Sequence, residues 1–379
     1  MPAQSASISR SAAAAPKAKA QSKSARLYSL DVLRGITVAA MIIVNNAGGP
    51  ESYSFLQHSV WNGLTLCDMV FPTFLFIVGI STYISLSKKG FQWSQPTAIK
   101  ILKRTVLILL IGWAIHWLEH IVKADFLPLA TLRLTGVLPR IAVCYFLTSV
   151  IALSCGKKAI EAIIVCLLVL YGWILLAGNG FVNEIDNILV RFDRALLGEA
   201  HLYTKQPVDP EGLMSNLSAL AHTLIGFCCG RMLMARSANI EAKMLRIMVM
   251  GFGMLLVGLA IAVILPINKR IWSPSYVLVS CALAAMALVA IAYIADIKGR
   301  KRGFWPFDVF GVNPLFLYVL AEVAAILLSA SGAKRAIYGF IEAGIPDPKV
   351  ASAIYSLLFV CAIWAVGYWL YRKKIYIKL

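Results

Sequence analysis

Residues 57–79 read QHSVWNGLTLCDMVFPTFLFIVG, a polar segment that runs directly into an apolar one. The apolar part is long enough to enter a membrane, where hydrocarbon offers polar groups no hydrogen-bonding partners. Ionisable groups at this depth are therefore candidates for function. A histidine is suited to exchange protons near neutral pH. The segment predicts a reaction site at a bilayer surface, and its polar and aromatic side chains are His58, Trp61, Asn62, Thr65 and Asp68.

The overall composition is that of a membrane protein. Of the 379 residues, 60% are hydrophobic and 14% are charged, and the mean hydropathy is +0.77. Soluble domains are about one quarter charged, and each membrane-spanning helix needs about 20 apolar residues. We therefore predict an all-α polytopic membrane protein in which about ten transmembrane helices form one bundle. The predicted spans are 30–48, 64–87, 99–121, 136–154, 159–177, 214–234, 244–265, 275–295, 306–330 and 351–371.

Basic residues are distributed unequally between the two sides of the predicted bundle. The formal net charge is +18. The two chain ends and the connections after even-numbered spans hold 24 Lys and Arg, whereas the opposite connections hold 10. By the positive-inside rule, both termini then lie in the cytoplasm. The basic excess reflects orientation in the membrane, and we predict no nucleic-acid partner.

Outside the spans, the chain offers few further domains or sites. Residues 1–27 are rich in Ala, Ser and Lys and predict a disordered cytoplasmic tail, so residues 28–379 form the transmembrane domain. The longest connection, 178–213, is long enough to cap the outer face, and 334–345 has the pattern of an interfacial helix. The eight cysteines fall mostly within spans and lack metal-ligand spacing. We predict neither a disulfide framework nor a metal site.

Polar groups occur at both ends of the first span. Asp31 and Arg34 are three residues apart, so they can pair on one helix face. Arg34 belongs either to this surface ion pair or to a site that holds an anionic ligand. At the other end, a helix cap or turn explains Asn46 well. Asn45 lies one residue deeper and is a candidate for function.

Asp68 lies about one turn inside the second span, where an unpaired carboxylate is costly. Three uses are open: orienting a histidine, pairing an arginine from another span, or binding a substrate hydroxyl. A lone His58 in a loop is more often structural, but with Asp68 and Asn45 expected close by we favour a functional role. Asn62 fits a turn or the cap of the second helix.

Two further groups of residues stand out. Arg140 lies well inside the fourth span and needs a partner, for which Asp68 and Glu322 are the candidates. The string PINKRIWSPSY at 266–276 combines hydrogen-bond donors with an aromatic ring, as sugar sites often do. Its alternative interpretation is an anchored interfacial turn.

Six strings spread over most of the predicted membrane domain carry a family resemblance. They are SLDVLRGITVA, HSVWNGLTLCDMVFPTFLFIVGIS, GVLPRIAVCYF, DPEGLMS, PINKRIWSPSYVL and GVNPLFLYVL. In these strings the chain resembles the heparan-α-glucosaminide N-acetyltransferase family of transmembrane acetyltransferases, including bacterial members linked to N-acetylglucosamine use. The long second string is quite specific.

The resemblance implies transfer of acetyl from cytoplasmic acetyl-CoA to the amine of an amino sugar or glycan at the periplasmic face of a bacterial inner membrane. It matches His58 to the active-site histidine and Asn45 to a functional asparagine, and we add Asp68 as the third catalytic residue. Coenzyme A is polyanionic and is expected to enter from the basic cytoplasmic face. Predicted contacts to acetyl-CoA come from Arg34, Arg140 and Asn62, and predicted contacts to the acceptor come from Trp61, Lys269, Trp272 and Ser273.

Two routes and one other class of protein remain open. His58 acts as general base in a direct transfer, which we favour, or forms an acetyl-imidazole in a ping-pong route. Either way the thioester oxyanion needs a donor, for which Asn45 and Asn62 are candidates. The alternative function is an amino-sugar transporter of the inner membrane, although the sequence shows no inverted repeat. The bilayer is an obligatory partner, and a homodimer is left open.

Overall fold

Helices make up all of the regular structure in the part of the chain that the structure describes. A computed structural model of the protein describes residues 27–203, 205–235 and 239–377, and within those residues there are thirteen α-helices and no strand. The all-α prediction is confirmed. The predicted tail, residues 1–27, lies outside the described residues except for Leu27. The helices are α1 Tyr28–Asn45, α2 Leu66–Ser87, α3 Gln95–Ile121, α4 Val137–Ser154, α5 Lys157–Ala177, α6 Ile188–Leu197, α7 Asn216–Leu233, α8 Ile240–Ile261, α9 Pro274–Ala292, α10 Trp305–Val312, α11 Pro314–Ala330, α12 Ala333–Gly344 and α13 Pro348–Arg372.

Seven of the described helices are long and apolar enough to cross a membrane by length and composition: α1, α2, α4, α5, α8, α9 and α13. An eighth span arises if the segments Arg302–Val312 and Pro314–Ala330, which meet at 74°, are counted together. Helices α3 and α7 occupy predicted spans and are long enough, but they carry more polar residues. The count of ten spans therefore stays a prediction, whereas the multi-pass architecture is confirmed.

Helices α2 and α7 form the close-packed centre of the bundle. A methyl group added at Gly79 of α2 would lie 2.0 Å from the Thr223 carbonyl oxygen, and one at Gly226 of α7 would lie 2.2 Å from that of Phe76. The two backbones therefore touch, as small residues permit between membrane helices. This contact fixes how far α2 and α7 are shifted along each other. It thereby also fixes the positions of the loops that precede both helices.

One end of the bundle, which we call the site end, is where helices α2, α4, α7 and α9 all begin. Tyr276 of α9 bonds to the backbone of Asp68 in α2, and Arg140 of α4 bonds to the turn before α7. The opposite end, which we call the basic end, holds Lys88, Lys89 and Lys100 around one cavity. There Arg34 contacts Ser81, and Arg231 pairs with Glu161. The structure carries no membrane, so the cytoplasmic placement of the basic residues stays a prediction.

The connection 178–213 is more ordered than its turn-rich sequence indicated. It contains α6, whose Leu189 and Val190 are buried, and a turn of 3₁₀-helix at Glu199–His201. Asn187 starts α6 by accepting from the Leu189 amide at 2.8 Å. The segment 334–345 is also helical up to Gly344, as α12, and its interfacial placement stays a prediction.

Candidate active site

His58 and Asp68 lie side by side at the start of α2. His58 Nδ1 is 2.8 Å from Asp68 Oδ1. The imidazole side chain is 46% exposed, whereas the Asp68 side chain is fully buried. Of the three uses open for this carboxylate, the geometry favours orienting the histidine. Because Asp68 accepts at Nδ1, the hydrogen-bond pattern assigns the proton to Nδ1 and leaves Nε2 unprotonated.

The second oxygen of Asp68 is held by the helix start itself. Thr65 caps α2 in a capping box: its hydroxyl accepts from the Asp68 amide, and its own amide donates to Asp68 Oδ2 at 3.1 Å. The Ser59 amide donates to the same oxygen at 3.1 Å. The N-cap of α2 is therefore Thr65 and not Asn62, the cap that the sequence suggested. A carboxylate held from several directions cannot turn away from its histidine.

A proline in α2 leaves a backbone carbonyl of Asp68 available for a hydrogen bond from α9. Pro72 lies in the first turns of α2 and has no N–H, so the carbonyl of Asp68 four residues earlier lacks its helical donor. The Tyr276 hydroxyl supplies that donor at 2.7 Å. Ser273 caps α9 by accepting from the Tyr276 amide. Ser273 therefore has a structural role in the described fold, and its contact with an acceptor stays a prediction.

Lys269 approaches the histidine from a second loop. Its Nζ lies 3.0 Å from His58 Nδ1 and 3.1 Å from Nε2, and 3.9 Å from Asp68 Oδ1. Burial lowers the pKa of the Lys269 ammonium from its ordinary value, and the carboxylates of Glu211 and Asp68 act in the opposite direction. Cys67 Sγ is 3.2 Å from Nδ1. The sequence analysis predicted neither the Lys269 contact nor any role for Cys67.

The loops that carry His58 and Lys269 are joined directly. Asn268 donates from its side-chain amide to Asn62 Oδ1 at 3.0 Å, and Gly63 donates to the Ile267 carbonyl at 2.8 Å. Trp61 Nε1 donates to the Phe181 carbonyl at 2.7 Å, which attaches the connection 178–213 to the same place. Asn268 is a residue that the sequence analysis missed. The only sequence signal for it was its position next to Lys269 in an interrupted apolar run.

Trp272 and Arg140 form a layer beneath this cluster. Trp272 is fully buried and has φ of 53°, a conformation that is a rare outlier for a bulky residue. Its ring packs edge-on against Phe71 and Tyr276, and Arg140 Cζ lies 4.9 Å above it. The indole is therefore not an open platform in the described structure. Its contact with an acceptor remains a prediction.

The predicted carboxylate partner of Arg140 is wrong. Arg140 donates to the Gly212 carbonyl at 3.1 Å and to the Ser215 hydroxyl. Both hydrogen bonds come from Nη2, whereas Nε and Nη1 are buried without a hydrogen-bond partner among the described residues. A carbonyl oxygen, a hydroxyl and an aromatic face are partners that a search for acidic residues in the sequence does not find. Glu322, the other candidate, accepts instead from the Asn45 amide at 3.1 Å. Asn45 therefore contacts Glu322. Among the described residues, no contact supports the proximity of Asn45 to His58 that we had expected.

An ion network holds the DPEG turn over the site. Arg133 donates to Asp209 at 2.7 Å and to Glu211 at 2.9 Å. Although burial opposes ionisation of Asp209, Arg133 holds the pKa of its carboxyl below the ordinary value. Asp193 of α6 accepts from the amides of residues 213 and 214, and burial raises the pKa of its carboxyl to about 6. A side chain at Gly212 would strike Asp193 Oδ2, so any larger residue there would displace the Asp193 carboxylate.

The basic end contains a cavity of about 490 Å³. Arg34 lies in its wall and donates to Asp31 at 3.1 Å and to Ser81 at 3.0 Å, so the predicted Asp31–Arg34 pair is confirmed. Lys88, Lys89 and Lys100 line the same cavity. An α-helix rises about 1.5 Å per residue, which puts the Lys88 end of α2 about 30 Å from Asp68. The described residues contain no cluster of His, Cys, Asp and Glu that could hold a metal ion.

Fold and site together define a multi-pass helical membrane protein with a carboxylate–histidine pair at one end of the bundle. A family model described as "Heparan-alpha-glucosaminide N-acetyltransferase, catalytic" matches residues 26–257. The chain belongs to this family. The match includes His58 and Asp68 but ends before Lys269.

Two curated relatives carry the name heparan-alpha-glucosaminide N-acetyltransferase. The protein from Homo sapiens is 28% identical over 414 residues, which cover 93% of this chain and 60% of the relative. The protein from Mus musculus is 25% identical over 421 residues, which cover 95% of this chain and 61% of the relative. The chain thus spans about three fifths of the length of these relatives. The family assignment gives no support to the transporter alternative.

Proposed function

We propose that this protein is a membrane N-acetyltransferase that transfers acetyl from acetyl-CoA to the amine of an amino sugar or glycan. The observation that carries the proposal is the 2.8 Å contact between the half-exposed His58 and the buried Asp68. It gives the histidine one nitrogen held by the carboxylate and a second nitrogen that is unprotonated, which a general base requires. The names of the family and of its two relatives supply the reaction class.

In the favoured direct route, His58 Nε2 takes a proton from the acceptor amine as that amine attacks the thioester carbonyl. Asp68 keeps the ring in the tautomer that leaves Nε2 free, and it stabilises the positive charge that forms on the ring. The coenzyme A thiolate then leaves with the proton that His58 received. The exposed part of the imidazole is where the acceptor would sit, close to Trp61 and Lys269.

Acetyl-CoA is assigned to the basic end. Its phosphates are anionic, and the cavity wall contributes Lys88, Lys89, Lys100 and the Arg34–Asp31 pair. Phosphate groups bind well to Lys and Arg, where charge strengthens each hydrogen bond. The acetyl-bearing arm would extend along α2 toward His58. By the positive-inside rule this end faces the cytoplasm, so both termini are cytoplasmic and the acceptor lies on the periplasmic side of a bacterial inner membrane. Arg140 and Asn62 would meet the arm near the site end.

The direct test of this function is an activity assay on the purified full chain. Radiolabelled acetyl-CoA is incubated with glucosamine and, in parallel, with a glucosamine-terminated oligosaccharide. We expect N-acetylated product and a matching release of free coenzyme A with at least one of these acceptors. Absence of product from both, with the protein folded by thermal melting, would contradict the proposal.

Removing two lysines from the cavity is expected to weaken donor binding. In the Lys88→Gln/Lys100→Gln variant, KM for acetyl-CoA should rise about 10- to 100-fold, because each of two contacts from exposed lysines contributes about 1 kcal/mol. The kcat value should change little, because these residues lie far from the thioester. Lys103→Gln, an exposed neighbour on α3, is the matched control.

Acetyl-dephospho-CoA sharpens the same measurement. If the lysines bind the 3′-phosphate, the double variant should lose less affinity for this analogue than for acetyl-CoA. Equal KM values for acetyl-CoA in the double variant and in the unmodified protein would place the donor elsewhere.

A further inference from the structure

Lys269 makes a contact that acceptor binding alone does not explain. Its Nζ lies within 3.1 Å of both ring nitrogens of His58, although the two residues are 211 positions apart in the chain. The side chain is 10% exposed. A lysine that only attracted substrate would serve better from an exposed position, with its ammonium in solvent.

The fold holds this lysine in place. Asn268 accepts from the Ile271 amide at 3.2 Å and bonds to Asn62, and the Ser273 hydroxyl accepts from the Asn268 amide at 3.0 Å. Trp272 anchors the other side of the turn in the core, at the cost of a left-handed backbone conformation. A turn that is hydrogen-bonded on one side and buried on the other positions the Lys269 side chain before any ligand binds.

The groups around the lysine bear on its charge. Burial disfavours the charged ammonium and lowers its pKa, and the nearby Arg270 acts in the same direction. Glu211, Asp68 and Cys67 act in the opposite direction and raise the pKa. His58 is the group in direct contact. Glu211 is itself fixed by Arg133 at 2.9 Å. Two carboxylates thus stand near a buried cation that would otherwise lack a counter-charge.

We propose that Lys269 is a catalytic residue whose ammonium donates a hydrogen bond to the thioester carbonyl oxygen of acetyl-CoA as that oxygen gains negative charge. This inference rests on the proposed acetyl transfer at His58. The amine nitrogen forms a bond to the carbonyl carbon, and the oxygen becomes an oxyanion that Lys269 stabilises. The carbonyl then re-forms, the carbon–sulfur bond breaks, and coenzyme A leaves as the thiol with the proton carried by His58.

Lys269 fits this role better than the two asparagines that the sequence suggested. Asn45 is engaged by Glu322, and Asn62 is exposed with its side-chain oxygen bonded to Asn268. Donors to an oxyanion are most effective when they are preorganised and shielded from water. Lys269 is buried, charged and within hydrogen-bond distance of the proposed base, so one donor group reaches the place where both proton transfer and oxyanion formation occur.

The test compares Lys269→Met, Lys269→Arg and the control Arg270→Met in the full chain. Losing one oxyanion donor costs about 10²–10³-fold in kcat, and we expect that loss for Lys269→Met with KM for acetyl-CoA unchanged. Lys269→Arg should recover part of the rate, and Arg270→Met should keep it. A Lys269→Met variant with unchanged kcat, or with a raised KM as its only defect, would overturn the role.

The pH profile separates a catalytic cation from a structural one. The active form is the ammonium, which is present at low pH and lost as pH rises through its pKa. Because burial lowers that pKa, the alkaline limb of kcat should fall at a lower pH than for an ordinary lysine. Glu211→Gln should move this limb to still lower pH, and Lys269→Arg should remove it from the measurable range. An alkaline limb that is identical in all three proteins would also overturn the role.

Failure of this inference and failure of the proposed function give different results. If the unmodified protein transfers no acetyl, the function fails. If the unmodified protein is active and Lys269→Met matches it, only the role of Lys269 fails. Thermal melting of each variant shows whether a loss of rate reflects a loss of fold.

Discussion

Replacing His58 with alanine is expected to lower the rate of acetyl transfer by about 10²–10⁴-fold, the range that a positioned general base contributes. Nε2 is the ring nitrogen that stays unprotonated while Nδ1 donates to Asp68, and alanine offers no base in its place. The imidazole is half-exposed and fills no core position. The variant should therefore fold normally and bind acetyl-CoA with unchanged affinity.

A second histidine provides the matched control. His120 also contacts a carboxylate through Nδ1, 2.9 Å from Asp125 Oδ2, but both side chains lie outside the candidate site. His120→Ala removes the same chemical group and the same kind of pair and should leave kcat unchanged. If His58→Ala retained more than about a tenth of the rate, His58 would not be the base.

Replacing Asp68 with asparagine is expected to have the second-largest effect, a loss of about 10²–10⁴-fold in kcat at similar stability, because the variant loses the oriented base. The Ser59 and Thr65 amides both donate to Oδ2, so the carbonyl oxygen of the asparagine should face them. Its amide group then points at His58 Nδ1 and donates to it. The ring proton moves to Nε2, and the nitrogen that should accept a proton already carries one.

Asparagine is a better test than alanine because it keeps the shape of the helix start. Asp68→Ala would leave the partly buried amides of Ser59 and Thr65 without an acceptor, and the resulting loss of stability would obscure the chemistry. Asp125→Asn, which alters the other His–carboxylate pair, is the control and should be as active as the unmodified protein. A fully active Asp68→Asn variant would show that the tautomer of His58 does not matter.

The helical part of the fold could be predicted from the sequence because it depends on local apolar length. Polar interruptions are less predictable. Residues 306–330 were predicted as one span, and the structure bends the chain by 74° at Asn313. Pro314 is the visible signal, but a proline at the first turn of a new helix and a proline inside one long helix are identical in sequence. Helix α6 was missed because turn residues flank it on both sides.

The His58–Asp68 pair could be predicted because the two residues lie ten positions apart around one helix start. The other contacts depend on how distant segments meet. Lys269 reaches His58 only because Asn268 joins its loop to Asn62. Arg140 was assigned an acidic partner, whereas its real partners are a carbonyl oxygen, a serine and an indole face. Carbonyl oxygens occur at every residue, so a sequence cannot show which one a buried arginine will meet.

The central claim is that acetyl passes through the helix bundle from a donor at the basic end to an acceptor at the site end. Its most direct test uses proteoliposomes with acetyl-CoA sealed inside and a membrane-impermeant, glucosamine-terminated oligosaccharide outside. Transfer through the bundle predicts N-acetylated oligosaccharide outside while coenzyme A stays inside, and no product with His58→Ala. Product that forms only when donor and acceptor share one side of the membrane would contradict the claim.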